Sequence, residues 1–189
     1  MNLEMMSQQE QQALIDAFYW YHSIQFGDGL KSQGTVNPAE VLSQYGFPSL
    51  QGKSVLDVGT GDGYFAFAFE RLGAQRVLAV DVDRWQEASV FDLPSRTRAR
   101  RLRKYQPQAG QEAECDTRKQ LAQQLGFERP NPFYLARLLL RSNVELRYMT
   151  IYDLPTLHEQ FDLVFVGTVM DHVCDLAGAF EAVRQVTRS

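Results

Sequence analysis

Residues 55–63 read Val-Leu-Asp-Val-Gly-Thr-Gly-Asp-Gly and lead straight into a helical pattern from Tyr64 to Leu72. No other segment restricts the fold as strongly. Glycines at 59, 61 and 63 admit the positive φ angles of a sharp reversal, and a strand that turns directly into a helix sets the helix N-terminus at the strand's head. Gly73 stops the helix, and Arg76 to Val80 forms a second apolar run ending at Asp81. Strand, helix and strand in that order make the βαβ unit of a parallel sheet.

The remaining pattern extends this unit. A third strand fits Val144 to Thr150. A fourth fits Phe161 to Val166, a continuous apolar run of the kind buried on both faces, and Asp175 to Thr187 follows as a helix. The expected fold is α/β, a doubly wound and mainly parallel Rossmann-like sheet of spatial order 3-2-1-4 with a helical lead-in. The lead-in, residues 1–50, carries an amphipathic helix over Ser7 to Tyr21 and a turn-rich loop over Phe26 to Gly34. A second helix begins at Asn37, Pro38 and Glu40 and is stopped by Gly46 and Pro48. Residues 51–189 form the main domain, interrupted by a long excursion over 84–143 in which Asp116 to Leu125 and Pro132 to Arg141 are predicted helices.

Composition narrows the function classes. A chain that is 44% hydrophobic and 12% aromatic can build a core, while a net charge of -4 excludes the broad basic surface of sequence-independent nucleic-acid binding. Cys115 and Cys174 are too few for a disulfide framework or a four-cysteine zinc site and read as free thiols. The Gln-rich start lacks a signal core, and no run of ~18 apolar residues is present. A soluble, cytoplasmic protein that does not enter a membrane is expected.

The glycine loop brings backbone close to a ligand at a helix N-terminus. A dinucleotide loop wants its third glycine one position later, where Tyr64 stands, so the spacing favours S-adenosylmethionine over NAD. Asp81, about twenty residues further on, is placed to accept ribose hydroxyls. The plain alternative is a structural turn with no ligand.

Val55 to Gly63 resembles the first motif of class I S-adenosylmethionine-dependent methyltransferases, and Ala79-Val80-Asp81-Val82-Asp83 resembles the second. The combination with Trp20-Tyr21-His22-Ser23-Ile24, Gly27-Asp28-Gly29, Gly63-Tyr64-Phe65-Ala66-Phe67, Val144 to Tyr148, Tyr152-Asp153-Leu154 and Phe161 to Gly167 is similar to the tRNA wobble-uridine 5-oxyacetic acid and methoxyuridine methyltransferase group. The resemblance implies that Asp57, Gly59 and Gly61, in a loop completed by Thr60 and Gly63, hold the methionine end of S-adenosylmethionine. It assigns Asp81 to the ribose, Val82 to an adenine face, Tyr152 and Asp153 to adenine or its amino group, and Gly167 and Thr168 to the edge of the transfer pocket. Where carboxylated-cofactor members carry a tyrosine before the histidine, this chain has Asp171 before His172. An acid there repels a carboxylated cofactor, which favours ordinary S-adenosylmethionine.

His172 lies after a strand's carboxyl end, where open α/β sheets bind ligands, and is the leading base candidate, with Asp171 to orient it or meet the acceptor. It can equally cap or pack the following helix. His22, beside Trp20 and Tyr21, either lines the acceptor side or belongs to the core, and His158 sits in a polar stretch. The scattered histidines give no metal-ligand spacing, so no metal is expected. The basic run Arg96 to Lys104 either grips RNA phosphates or is a solvated face, and Trp85 either packs near adenine or anchors the excursion.

The family's usual fifth strand and terminal hairpin have no counterpart before Ser189, so strand four is expected to be an edge shielded by further chain or by a partner, as in an oligomer. The function expected is methyl transfer to a hydroxyl or similar acceptor on a small molecule or a tRNA wobble uridine. The competing expectation is a non-catalytic cofactor-binding or interaction domain, or an inactive fragment.

Overall fold

A computed structural model describes residues 3–44, 46–82 and 111–188. The helices are α1 (Gln8–Asp16), α2 (Ala39–Gln44), α3 (Tyr64–Arg71), α4 (Gln111–Gln124), α5 (Pro132–Leu139) and α6 (Leu176–Val186). The strands are β1 (Gln25–Gly27), β2 (Leu30–Lys31), β3 (Ser54–Val58), β4 (Arg76–Asp81), β5 (Glu145–Tyr148) and β6 (Leu163–Val166). The chain divides into two compact units, one of Met1–Pro48, Gly61–Tyr64 and Pro107–Ser142, the other of Ser49–Thr60, Phe65–Gln106 and Asn143–Ser189. Trp85 and the basic run Arg96 to Lys104 lie outside the described residues.

Four parallel strands in the order β5-β4-β3-β6 make the sheet of the second unit, which is the 3-2-1-4 arrangement expected from the sequence. Alternation along the strands sends side chains to two faces. Leu56, Val58, Leu78 and Val80 pack with Ala179, Ala182 and Val186 of α6 and with Ile151 and Leu154 of a 3-10 segment, Ile151–Leu157. Phe165, in register with Asp57, faces the other way and meets the rings of Phe65 and Phe69 on α3 at 4.7 and 5.3 Å between centroids. Helices thus cover both faces. Phe161 is fully buried in the α6 layer, a burial worth roughly 2–3 kcal/mol.

One strand expectation changes. All four residues of β6 are only half-buried, because β6 is the last strand in the sheet order and its continuous apolar run does not mean cover on every side. Just before β6, Phe161 makes a parallel bridge with Thr187: the Phe161 amide donates to Val186 O at 2.8 Å and the Arg188 amide to Phe161 O at 3.0 Å. Asp162 ties the start of this edge to the centre of the sheet by accepting from the Ser54 amide and hydroxyl at 2.7 and 2.8 Å.

In the first unit, α1 stops at Asp16 rather than running to Tyr21. Ser7 caps its start through a capping box with Glu10, while at its end the indole of Trp20 donates to Ile15 O and the following chain becomes extended. The reason is tertiary: His22 bridges Val36, an extended pairing incompatible with more helix. The expected loop over Phe26 to Gly34 contains the short antiparallel pair β1-β2, turned by Asp28 and Gly29 at φ +50° and +80°. Asn131 caps α5, with Pro132 at its first turn and Phe133, Leu135 and Ala136 buried.

Candidate functional site

Parallel register brings the carboxyl ends of the strands together. Val58 is opposite both Val80 and Val166, so the chain emerges side by side at Gly59, Asp81 and Gly167. At Gly59 the backbone takes φ +77°, and a Cβ placed there would sit 2.2 Å from Cγ2 of Val169, in the turn after β6. Glycine is required twice over, for the angle and for the space. The Gly59 and Thr60 amides both donate to Val80 O, at 2.8 and 3.2 Å, which fastens the loop to β4.

Asp57 and Thr60 brace the loop from beneath. Both are buried, and the Thr60 hydroxyl donates to the Asp57 carboxylate at 2.7 Å. Gly61 and Gly63 continue the reversal with φ +58° and +88°, and a Cβ on Gly61 would meet no heavy atom within 4 Å among the described residues. Asp81 closes β4, and its Oδ1 accepts from the Val82 amide at 2.7 Å, which aims a half-buried carboxylate at the carboxyl end of the sheet.

The turn after β6 carries Gly167, Thr168, Asp171 and His172. A Cβ on Gly167 would lie 2.9 Å from the Phe165 ring, and Thr168 holds φ +48°, a left-handed angle that costs a non-glycine residue roughly 1–3 kcal/mol. His172 Nε2 lies 3.7 Å from Asp171 Oδ2, too long for a hydrogen bond. The His172 amide donates to Val169 O at 2.8 Å.

Tyr152 and Asp153 are drawn into local structure. The Tyr152 hydroxyl accepts from the Asp175 amide at 3.2 Å and faces Asp175 O at 3.3 Å, while Asp175 caps α6 through the Gly178 amide at 2.9 Å. Asp153 Oδ2 accepts from the Thr150 amide and hydroxyl at 3.0 and 2.6 Å, which starts the 3-10 segment.

Sequence reasoning passed over Asp62. Its side chain is almost fully buried within the first unit, where Oδ2 accepts from the Tyr21 and His22 amides at 2.9 and 2.7 Å and Oδ1 meets His22 Nδ1 at 2.6 Å. His22 ring faces lie against Tyr21, edge-on at 4.8 Å, and Tyr64 at 5.5 Å. An acid between two glycines is the only local sign of this arrangement, and nothing local names a partner 40 positions away.

An open parallel α/β sheet with a glycine loop and an acidic strand end side by side defines a Rossmann-like domain. The chain belongs to the methyltransferase domain family, whose model matches residues 32–188. Among curated proteins it is similar to the ribosomal protein L11 methyltransferase of Caldicellulosiruptor saccharolyticus, 45% identical over 58 residues, which are 31% of this chain and 18% of that protein. A second, from Pelobacter propionicus, is 58% identical over 38 residues, 20% of this chain and 12% of that protein. The matched stretches therefore span less than a fifth of these relatives. An S-adenosylmethionine dependent methyltransferase structure from Mesorhizobium loti aligns at 20% identity and a TM-score of 0.41, covering 81% of this chain and 50% of that one. Among the described residues no helix is long and apolar enough to cross a membrane.

Proposed function

We propose that this chain binds S-adenosylmethionine at the carboxyl edge of the sheet and takes part in methyl transfer to a hydroxyl or similar acceptor. The observation that carries the reading is the pairing of Gly59 and Asp81 on adjacent strands: a backbone reversal closed to any side chain beside a fixed carboxylate. The residues suit the cofactor. A carboxylate accepts two hydroxyls of a ribose, and the side-chain-free arc at Gly61 leaves room for the amino-acid end. When bound, S-adenosylmethionine supplies a methyl group on a sulfonium, open to in-line displacement.

The chain's own part is to hold and exclude. Asp57 and Thr60 keep the loop in its bound shape before binding, so little ordering is left to do. Strained Thr168 and close-packed Gly167 fix the turn that edges the transfer pocket, and Asp171 and His172 stand on the acceptor side. Tyr152 and Asp153 shape the adenine end through the turn they hold. The acceptor class proposed is a small-molecule hydroxyl or a tRNA wobble uridine, in a cytoplasmic setting. The ribosomal protein L11 methyltransferases share only the short matched stretch, so ribosomal protein L11 enters as a comparison acceptor.

Calorimetry with S-adenosylhomocysteine tests the reading. Saturable binding is expected, and Asp81→Ala should abolish it while leaving the circular dichroism spectrum intact. Absence of binding by the folded wild-type chain would overturn it. Transfer of labelled methyl to total tRNA, to phenolic small molecules or to ribosomal protein L11 then ranks the acceptors.

A further inference from the structure

Within the second unit, Gly59 is held from two sides that differ in kind. Towards β4 the hold is polar: the Gly59 and Thr60 amides both donate to Val80 O, one residue before Asp81. Towards β6 it is steric. The nearest heavy atoms to a Cβ on Gly59 would be Cγ2 and Cβ of Val169, at 2.2 and 3.7 Å, and then Gly167 O at 3.9 Å, all from the turn that follows β6. With β3 between β4 and β6, an isopropyl group lies on Gly59 from the side opposite Asp81.

Three constraints keep Val169 in place. Its carbonyl accepts from the His172 amide at 2.8 Å, which closes a tight turn, and its side chain packs on the buried cluster that contains Val58 and Val80. Thr168, at φ +48°, sets the direction in which the chain reaches Val169. Just before it, Gly167 is pressed against the ring of Phe165, and that ring meets Phe65 and Phe69 on α3. A β-branched side chain is also stiff at χ1. The result is an apolar wall with little freedom, half-buried, so that part of its surface stays open.

We infer that Val169 is a specificity-determining residue that limits the size of the group carried on sulfur, a role that rests on the S-adenosylmethionine reading above. In that reading Asp81 holds the ribose, and the sulfonium is bonded to the ribose C5′ carbon, so the sulfur lies close to it. The group to be transferred points away from the ribose toward the acceptor, and on this sheet that direction runs from β4 across Gly59 to the turn after β6. Val169 is the side chain that stands there against the loop. A methyl group fits beside it and a longer S-alkyl group collides, because a fixed apolar wall meets extra methylenes with a loss of roughly tenfold or more in affinity. No charge or hydrogen bond is needed. The selection is by shape.

Calorimetry of the full chain with three ligands tests this: S-adenosylhomocysteine, S-adenosylmethionine, and the analogue whose sulfur carries allyl in place of methyl. Wild type should bind the methyl sulfonium at least about tenfold more tightly than the allyl one. Val169→Ala takes two carbons from the wall and allyl adds two to the ligand, so in that variant the preference should be lost. Val169→Ile, one carbon larger, should weaken S-adenosylmethionine more than S-adenosylhomocysteine, and it keeps the inference open to refutation should Val169→Ala not fold. Equal binding of methyl and allyl sulfoniums by wild type, or an unchanged preference in Val169→Ala, would overturn the role. So would either variant weakening all three ligands in proportion, which is the mark of packing alone. Failure of folded wild type to bind any of the three sinks the cofactor reading together with this role, whereas S-adenosylhomocysteine binding without a size preference sinks this role alone.

Discussion

A Cβ on Gly59 would lie 2.2 Å from Val169 Cγ2, so the loop after β3 and the turn after β6 touch where no side chain can be added. Gly59→Ala must meet both this collision and φ +77°, and should destabilise the protein by roughly 2–4 kcal/mol. The double variant Gly59→Ala/Val169→Ala should recover only the part due to collision, since the backbone angle is unchanged. Urea denaturation of the two variants measures the split, and parent-like stability of Gly59→Ala would contradict this geometry.

Thr60→Val removes the donor to Asp57 and leaves a buried carboxylate short of one partner. A loss of about 1–3 kcal/mol is expected, with Thr60→Ser restoring most of it. S-adenosylhomocysteine affinity should fall with Thr60→Val and return with Thr60→Ser, because what is lost is the preset shape of the loop. Equal affinities across the three proteins would show that the brace serves stability alone.

Tyr152→Phe deletes one hydroxyl that engages the Asp175 amide and carbonyl. These bonds are long and exposed, so the stability cost should be about 1 kcal/mol or less. The clearer signal is local. Hydrogen exchange at the Asp175 amide should speed up while the core amides of β3 stay protected. Unchanged exchange at Asp175 would remove Tyr152 from any role in holding this turn.

Acid stability should report on Asp162. The Ser54 amide, then the Ser54 hydroxyl and Arg188, hold its carboxyl far below the usual aspartate value of 3.8. A depressed acid contributes stability that is complete above its unfolded value and is lost as pH falls toward its folded value. Glu181, lowered to about 2 chiefly by hydrogen bonds from Arg184, acts in the same sense. Wild type should therefore lose stability as pH falls from about 4 toward 2, and Asp162→Asn should flatten that slope. Thermal melts across this window decide, and parallel slopes would refute the assignment.

Local chemistry in the sequence determined much of this protein. Val55 to Gly63 and Arg76 to Asp81 announce strand, reversal, helix and strand because glycine spacing and β-branched runs act over a few residues. The caps at Ser7, Asn131 and Asp175 are equally local. The strand order 3-2-1-4 is the one expected of a doubly wound sheet, and with it comes the meeting of Gly59, Asp81 and Gly167 at one edge. Tertiary structure alone decided the rest. Whether the apolar run of β6 is covered depends on what lies beside it, and α1 ends at Asp16 because His22 pairs with Val36. The bond between Asp62 and His22 joins residues far apart in sequence through a buried carboxylate, and no periodicity or motif records such a partner. Backbone propensity and turn chemistry are properties of neighbours along the chain; burial and hydrogen-bond pairing are properties of neighbours in space, and they exist only once the chain has folded.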